Sequence, residues 1–116
     1  MSETEPLLVA CLCAAWCRTC TDYAPGFEAL AADVGAAARF VHIDIEDEAE
    51  LLGDIDVVDF PTLLIARGPR VLFFGPVLPN AQTARRLVEG ALQGALAPTG
   101  DAQLDALAAR LRGFPG

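Results

Sequence analysis

The sequence predicts an α/β fold in which a mixed sheet of about four strands carries helices on both of its faces. Short apolar segments typical of strands alternate along the chain with segments that have the periodicity of amphipathic helices. Gly68-Pro69 separates two of the apolar segments and indicates a hairpin. The predicted order is β-α-β-α-β-β-α, followed by an extra C-terminal helix.

The composition is that of a compact globular protein. Hydrophobic residues make up 53% and charged residues 21% of a 116-residue chain. A chain of this length is able to bury a substantial core. We therefore expect a single domain over residues 1–116, with its core over residues 6–93.

The first strand is predicted at residues 6–13, where seven apolar residues follow one another. The first helix is predicted from Cys17 to about Val34, and Pro25 within it predicts a kink. Its apolar side chains fall at helical spacing on one face: Tyr23, Phe27, Leu30 and Val34.

The middle of the chain carries the other strands. Residues 39–45 alternate between apolar and polar side chains, which predicts the second strand. A short helix is predicted at residues 47–53, because a glycine follows its last apolar residue. The two strands of the hairpin are predicted at residues 62–67 and 70–74.

Two further helices are predicted after the hairpin. Asn80 is a suitable N-cap for a helix from residue 81 to about residue 93. Pro98-Thr99-Gly100 interrupts the chain, and a second helix is predicted at residues 101–112. One face of this helix carries Leu104, Leu107 and Leu111. We expect these leucines to cover the sheet, leaving the protein a monomer; a dimer contact is the alternative.

The charge of the chain excludes several partners. The net charge is −8 and the pI is about 4.4, whereas nucleic-acid binding requires a basic surface. No apolar segment is long enough to span a membrane. Residues 2–5 are acidic where an export signal is basic, so we expect a cytoplasmic protein.

The residues with the clearest chemistry are Cys17 and Cys20, a Cys-x-x-Cys at the predicted junction of a strand and a helix. The unpaired backbone N–H groups and the dipole of a helix start stabilise a thiolate. Cys20 lies three residues further on, on the same face of the helix and close enough to form a short disulfide. This arrangement is typical of a dithiol redox centre.

The chain resembles the thioredoxin family over nearly all of residues 6–93. Four features carry the resemblance: Trp16 directly before the Cys-x-x-Cys, Pro25 at the position of the family's kink proline, the sequence Phe60-Pro61-Thr62, and Gly75 after the last strand. Phe60-Pro61-Thr62 matches the family's cis-proline motif.

The resemblance implies roles for these residues. Cys17 is the attacking thiolate, and Cys20 is the resolving thiol. Trp16 belongs to an apolar platform around the sulfur atoms. Pro61, in cis after Phe60, places a backbone edge beside the attacking thiol, where a substrate chain pairs as an extra strand. The alternative for this proline is an ordinary residue at the start of a strand.

The chain departs from the family at three places. Arg18 and Thr19 replace the Gly-Pro that reducing members carry between the two cysteines, so the reduction potential does not follow from the resemblance. Cys11 and His42 stand where classical thioredoxins have a buried aspartate and its lysine partner. His42 is either part of this buried arrangement or a surface histidine on a strand. The family's first strand and helix are absent.

Four cysteines within ten residues also suggest a metal site, either zinc or an iron–sulfur cluster. A Cys-x-Cys in a strand and a Cys-x-x-Cys at a helix start are not expected to converge on a tetrahedron. Cys11 and Cys13 are also suited to the core as small apolar residues. We therefore predict no bound metal and no cofactor.

Together these features predict a thiol–disulfide oxidoreductase that exchanges a Cys17–Cys20 disulfide with protein thiols or disulfides. Its role would be in cell redox homeostasis, with a thioredoxin-reductase-like electron donor. The alternative is a thioredoxin-fold adaptor or assembly chaperone that holds a peptide beside Pro61 with little redox turnover.

Overall fold

Over the residues that it describes, the computed structural model contains four strands and four helices in the predicted order. It describes residues 6–14, 17–53, 55, 57, 60–77 and 81–113. The strands are β1 (Leu7–Cys13), β2 (Ala38–Asp44), β3 (Thr62–Arg67) and β4 (Arg70–Pro76). The helices are α1 (Arg18–Val34), α2 (Ala49–Leu52), α3 (Ala81–Leu92) and α4 (Ala102–Arg112), with a 3₁₀ turn at Gly35–Ala37 after α1.

The four strands form one mixed sheet in the order β2-β1-β3-β4. β1 is parallel to β2 and antiparallel to β3, and β3 is antiparallel to β4. The two internal strands, β1 and β3, are almost entirely buried, as their continuous apolar sequences predict.

Each face of the sheet has its own hydrophobic core. One core lies between the sheet and the helices α1 and α3, and it includes Leu7, Val9, Cys11 and Cys13 from β1. The other lies under α4 and α2, and it includes Leu8, Ala10 and Leu12. This division follows from the alternation of side chains along a strand. The prediction of helices on both faces is confirmed.

Helix α1 follows β1 and positions the Cys-x-x-Cys. It buries Cys20, Tyr23, Phe27 and Leu30 on the face toward the sheet, and Pro25 lies within its 17 residues. It ends at Gly35, whose φ of 67° is accessible to glycine at little cost. In the described part of the chain, no helix is both long and apolar enough to cross a membrane.

Three local predictions need correction or remain open. Gly75 lies inside β4 rather than after it, because the antiparallel pairing with β3 continues to Pro76. The helix predicted at residues 47–53 is confined to Ala49–Leu52, since Asp44 accepts backbone N–H groups of the preceding turn. The predicted N-cap Asn80 lies outside the described residues.

Helix α4 covers the second face of the sheet. Asp101 caps its start by accepting hydrogen bonds from the backbone N–H groups of Gln103 (2.9 Å) and Leu104 (3.3 Å). Leu107 and Leu111 are fully buried, and Leu104 packs at the margin of the same core. Asp105 also accepts a hydrogen bond from the backbone N–H of Val71 in β4 (2.8 Å).

We expect Leu107→Ala to lower the free energy of unfolding by about 2–5 kcal/mol, because it removes a fully buried side chain and leaves a cavity. Gln103→Ala is the matched control on the exposed face of α4 and is expected to change stability by less than about 0.5 kcal/mol. Urea unfolding followed by circular dichroism measures both. Equal stabilities would show that α4 does not contribute to the core.

Candidate active site

The site lies where the C-terminal end of β1 meets the start of α1. Cys17 is the N-cap residue of α1 and is half-buried. Its backbone N–H donates to the carbonyl of Ala14 (3.0 Å), and its own carbonyl accepts from the backbone N–H of Thr21 (3.2 Å). The Cys17 side chain makes no capping hydrogen bond, and its thiol is free.

The disulfide of the structure joins Cys13 to Cys20. The Cys17–Cys20 disulfide predicted from the sequence is therefore not the one formed. Cys13 ends β1 on the face toward α1, and Cys20 points inward from the first turn of that helix. Their Cα atoms are 5.9 Å apart, which is within the normal range for a disulfide. Cys17 lies at the helix start and is more exposed than the two bonded cysteines.

Cys11 lies behind this disulfide. Its Sγ atom is 3.6 Å from the Sγ atom of Cys13, and the residue is 1% exposed. Burial raises the pKa of the Cys11 thiol from 9.0 to about 12. Cys11 is thus a neutral thiol at the position where classical thioredoxins have a buried aspartate. It does not supply a buried negative charge near neutral pH.

His42 occupies the position opposite Cys11 in the parallel pairing of β1 and β2. Its side chain is exposed, as expected for a surface histidine on a strand. The ring centroid lies 6.5 Å from that of Phe27 in α1, so the imidazole is on the same side of the sheet as the disulfide.

Two of the four cysteines meet a histidine, a combination that was not predicted from the sequence. The ligand atoms of Cys11, Cys13 and His42 all lie within 4.8 Å of one another. The two cysteines are two residues apart on one strand and share a face, and the neighbouring strand presents His42 beside them.

The predicted proline motif lies at the start of β3. The Phe60–Pro61 peptide bond is cis. Pro61 is buried, and its carbonyl accepts a hydrogen bond from the backbone N–H of Val77 (3.0 Å). Phe60 and Cys17 both pack at the margin of the core beneath α1.

Two further predicted residues lie at the start of α1. Arg18 is exposed and Thr19 is half-buried in the first turn of the helix. Trp16 lies outside the described residues. A cavity of about 280 Å³ opens beside the disulfide. Its lining includes Cys13, Cys20 and His42.

Sequence reasoning missed Cys13 as a disulfide partner, although the signal was present. In a strand, residues two apart point to the same face. Cys13 lies on the face of the sheet that packs against α1. On that face it is opposite Cys20, the cysteine of the Cys-x-x-Cys that points into the core.

The fold agrees with the comparisons to known proteins. The thioredoxin family model matches residues 1–74, and the chain belongs to the thioredoxin family. Both cysteines of the disulfide lie within the part of the chain that this family model matches.

Individual relatives support the same family. The chain is 32% identical over 69 residues to a thioredoxin of Bacillus subtilis, a match that covers 60% of this chain and 66% of that protein, just under two thirds. A thioredoxin of Listeria monocytogenes is also 32% identical over 69 residues, covering 60% of this chain and 67% of the relative.

Solved structures share the fold. The germline-specific thioredoxin Deadhead of Drosophila melanogaster superposes with a TM-score of 0.67 at 22% identity, covering 76% of this chain and 83% of that one. Fasciola hepatica thioredoxin gives a TM-score of 0.67 at 23% identity, covering 75% of this chain and 82% of that one.

Disulfide mapping tests the observed pairing. We expect iodoacetamide to modify Cys17 in the native oxidised protein and Cys11 only after denaturation, because the first is half-exposed and the second buried. Trypsin separates Cys20 from the other three cysteines by cleaving after Arg18. Fragmentation of the linked peptides then locates the label. A label on Cys13 with Cys17 protected would contradict the pairing.

Alkaline pH should destabilise the protein through Cys11. The unfolded thiol loses its proton from about 9.0, whereas the folded one holds it to about 12, so stability falls as the pH rises through this window. At about pH 10.5 the expected loss is about 2 kcal/mol. Urea midpoints measured at pH 8 and 10.5 would show it.

The matched variant is Cys11→Val, which keeps an apolar side chain of similar size and removes the titrating thiol. Both proteins are compared in a Cys17→Ser background, which removes the exposed thiol and its exchange reactions. Cys11→Val should lose less stability between the two pH values. The same loss in both proteins would assign the effect to other groups, among them Tyr23, whose pKa is also raised by burial and by Cys11.

Proposed function

We propose that this protein exchanges disulfides with protein substrates through Cys17, and stores the resulting disulfide between Cys13 and Cys20. One observation carries the proposal: the free, half-exposed thiol of Cys17 lies at the start of the same helix whose first turn holds Cys20 in an internal disulfide. The protein therefore has an accessible thiol that reacts with substrates and a buried cysteine pair that takes up the disulfide.

The reaction begins on the reduced protein, written here in the direction that reduces a substrate. The Cys17 thiolate attacks one sulfur of a substrate disulfide, forms a mixed disulfide and releases the first substrate thiolate. Cys17 lies at the positive end of the α1 dipole, which stabilises the negative charge of an attacking thiolate. The substrate chain docks beside the start of β3 at Pro61.

Resolution takes two further exchanges. Cys20 attacks the sulfur of Cys17, which releases the second substrate thiolate and leaves a transient Cys17–Cys20 disulfide. Cys13 then attacks Cys20, which expels Cys17 as a thiolate and leaves the disulfide of the structure. In total, two electrons pass from Cys13 and Cys20 to the substrate, and Cys17 ends as it began.

An external dithiol must return the two electrons for each cycle. A donor of the thioredoxin-reductase class fits this need, in a reducing compartment such as the cytoplasm. The last exchange frees Cys17 in the oxidised protein. Cys17 is therefore available to the donor or to a second substrate while the disulfide lies behind it.

Insulin reduction driven by a small dithiol tests these roles. We expect Cys17→Ser to lower turnover by at least about 100-fold, because the thiolate is the nucleophile. Cys20→Ser should accumulate a mixed disulfide on Cys17, which mass spectrometry detects. Cys13→Ser should still reduce insulin but should hold a Cys17–Cys20 disulfide when oxidised, with no free Cys17.

Gln103→Ala, on the opposite side of the sheet, serves as the control and is expected to keep the parent turnover. Turnover by Cys17→Ser equal to that of the parent would contradict the proposal. Binding of a cysteine-free peptide by a protein that reduces no insulin would instead support the adaptor function.

A further inference from the structure

The side chains of Cys11, Cys13 and His42 converge on one point between β1, β2 and α1. The Sγ atoms of the two cysteines are 3.6 Å apart, and the ligand atoms of all three residues lie within 4.8 Å of one another. Two sulfur ligands of one tetrahedral zinc ion lie about 3.8 Å apart, given Zn–S bonds of about 2.3 Å. The cysteine pair already has the spacing of two zinc ligands.

A fourth ligand lies within reach. The sulfur of Cys20 is bonded to that of Cys13, so reduction of the disulfide releases two thiols at this point. Once this bond is broken, the two sulfurs are free to separate to the spacing of neighbouring ligands. Three thiolates and one imidazole form a Cys₃His set, which is a usual set for structural zinc.

The surroundings suit a bound ion. The cavity of about 280 Å³ is lined by Cys13, Cys20, His42 and Asp44, and it provides an entry from the surface. The Tyr23 hydroxyl is buried in the same core as Cys11 and has no hydrogen-bond partner among the described residues. A thiolate ligand would supply the acceptor that this hydroxyl lacks.

We infer that the reduced protein binds one divalent ion of the zinc class through Cys11, Cys13, Cys20 and His42. Metal binding and the internal disulfide exclude each other, because Cys13 and Cys20 take part in both. Oxidation of these two thiolates by a protein disulfide, which is itself reduced to two thiols, removes two ligands and releases the ion. The inference requires reduced cysteines and does not depend on the proposed function.

Cobalt(II) is the probe, since its visible and near-ultraviolet bands report tetrahedral geometry and thiolate ligands. Reduced protein is titrated anaerobically with Co²⁺, and Zn²⁺ is then added. We expect intense tetrahedral and thiolate-to-cobalt bands that saturate at one equivalent, disappear on addition of Zn²⁺ and are absent for the oxidised protein. Weak bands typical of octahedral cobalt, or bands of equal strength in the oxidised protein, would overturn the inference.

The variants identify the ligands. Cys11→Ser and His42→Ala should each weaken Co²⁺ binding by at least about tenfold, whereas Cys17→Ser should bind as the parent does. His42 is exposed, so its replacement leaves the core intact, and circular dichroism checks the fold of each variant. Loss of the bands in Cys17→Ser but not in Cys11→Ser would assign the metal to the Cys-x-x-Cys and overturn the inference. Unchanged affinity in His42→Ala would also overturn it.

Discussion

The burial of β1 on both faces controls how the other elements are arranged. This strand lies inside the sheet, and each of its seven residues is at most 2% exposed. A strand in this position needs apolar side chains on both faces and a helical layer on each side. Both hydrophobic cores are built on it, and its last residues carry the chemistry of the site.

The alternation of β1 also determines which cysteines meet. Cys11 and Cys13 face α1 together with Cys20, while Leu12 faces the opposite core under α4. Cys17 caps the helix and stays partly exposed. Two small sulfur-containing side chains of β1 thus lie at the point where the sheet meets the first turn of the helix. This arrangement gives Cys20 a partner within the core.

Helix α4 is attached to the sheet by polar contacts as well as by leucines. The backbone N–H of Val71 donates to Asp105, and the carbonyl of the same residue accepts from the backbone N–H of Thr99 (2.8 Å). Arg39 in β2 donates to the carbonyl of Arg112 (3.0 Å). The helix and the segment before it therefore satisfy backbone groups at the edge strand β4 and contact the other edge strand.

The sequence alone was enough to predict the elements and their order, because apolar periodicity and turn residues act locally. The apolar run of β1, the hairpin at Gly68-Pro69 and the leucine face of α4 were each sufficient to predict an element. It also located the redox chemistry in a short segment of four cysteines. The end of β4 did not follow from the local pattern, since the length of this strand depends on its pairing with β3.

The pairing of the cysteines depends on how the elements pack together. Spacing along the chain favoured Cys17 as the partner of Cys20, but the packing of α1 on β1 brings Cys13 to that position. The place of His42 beside Cys11 depends likewise on the parallel register of β1 and β2. Both contacts join different secondary-structure elements, and they are set by the packing of whole elements, which a local pattern does not contain.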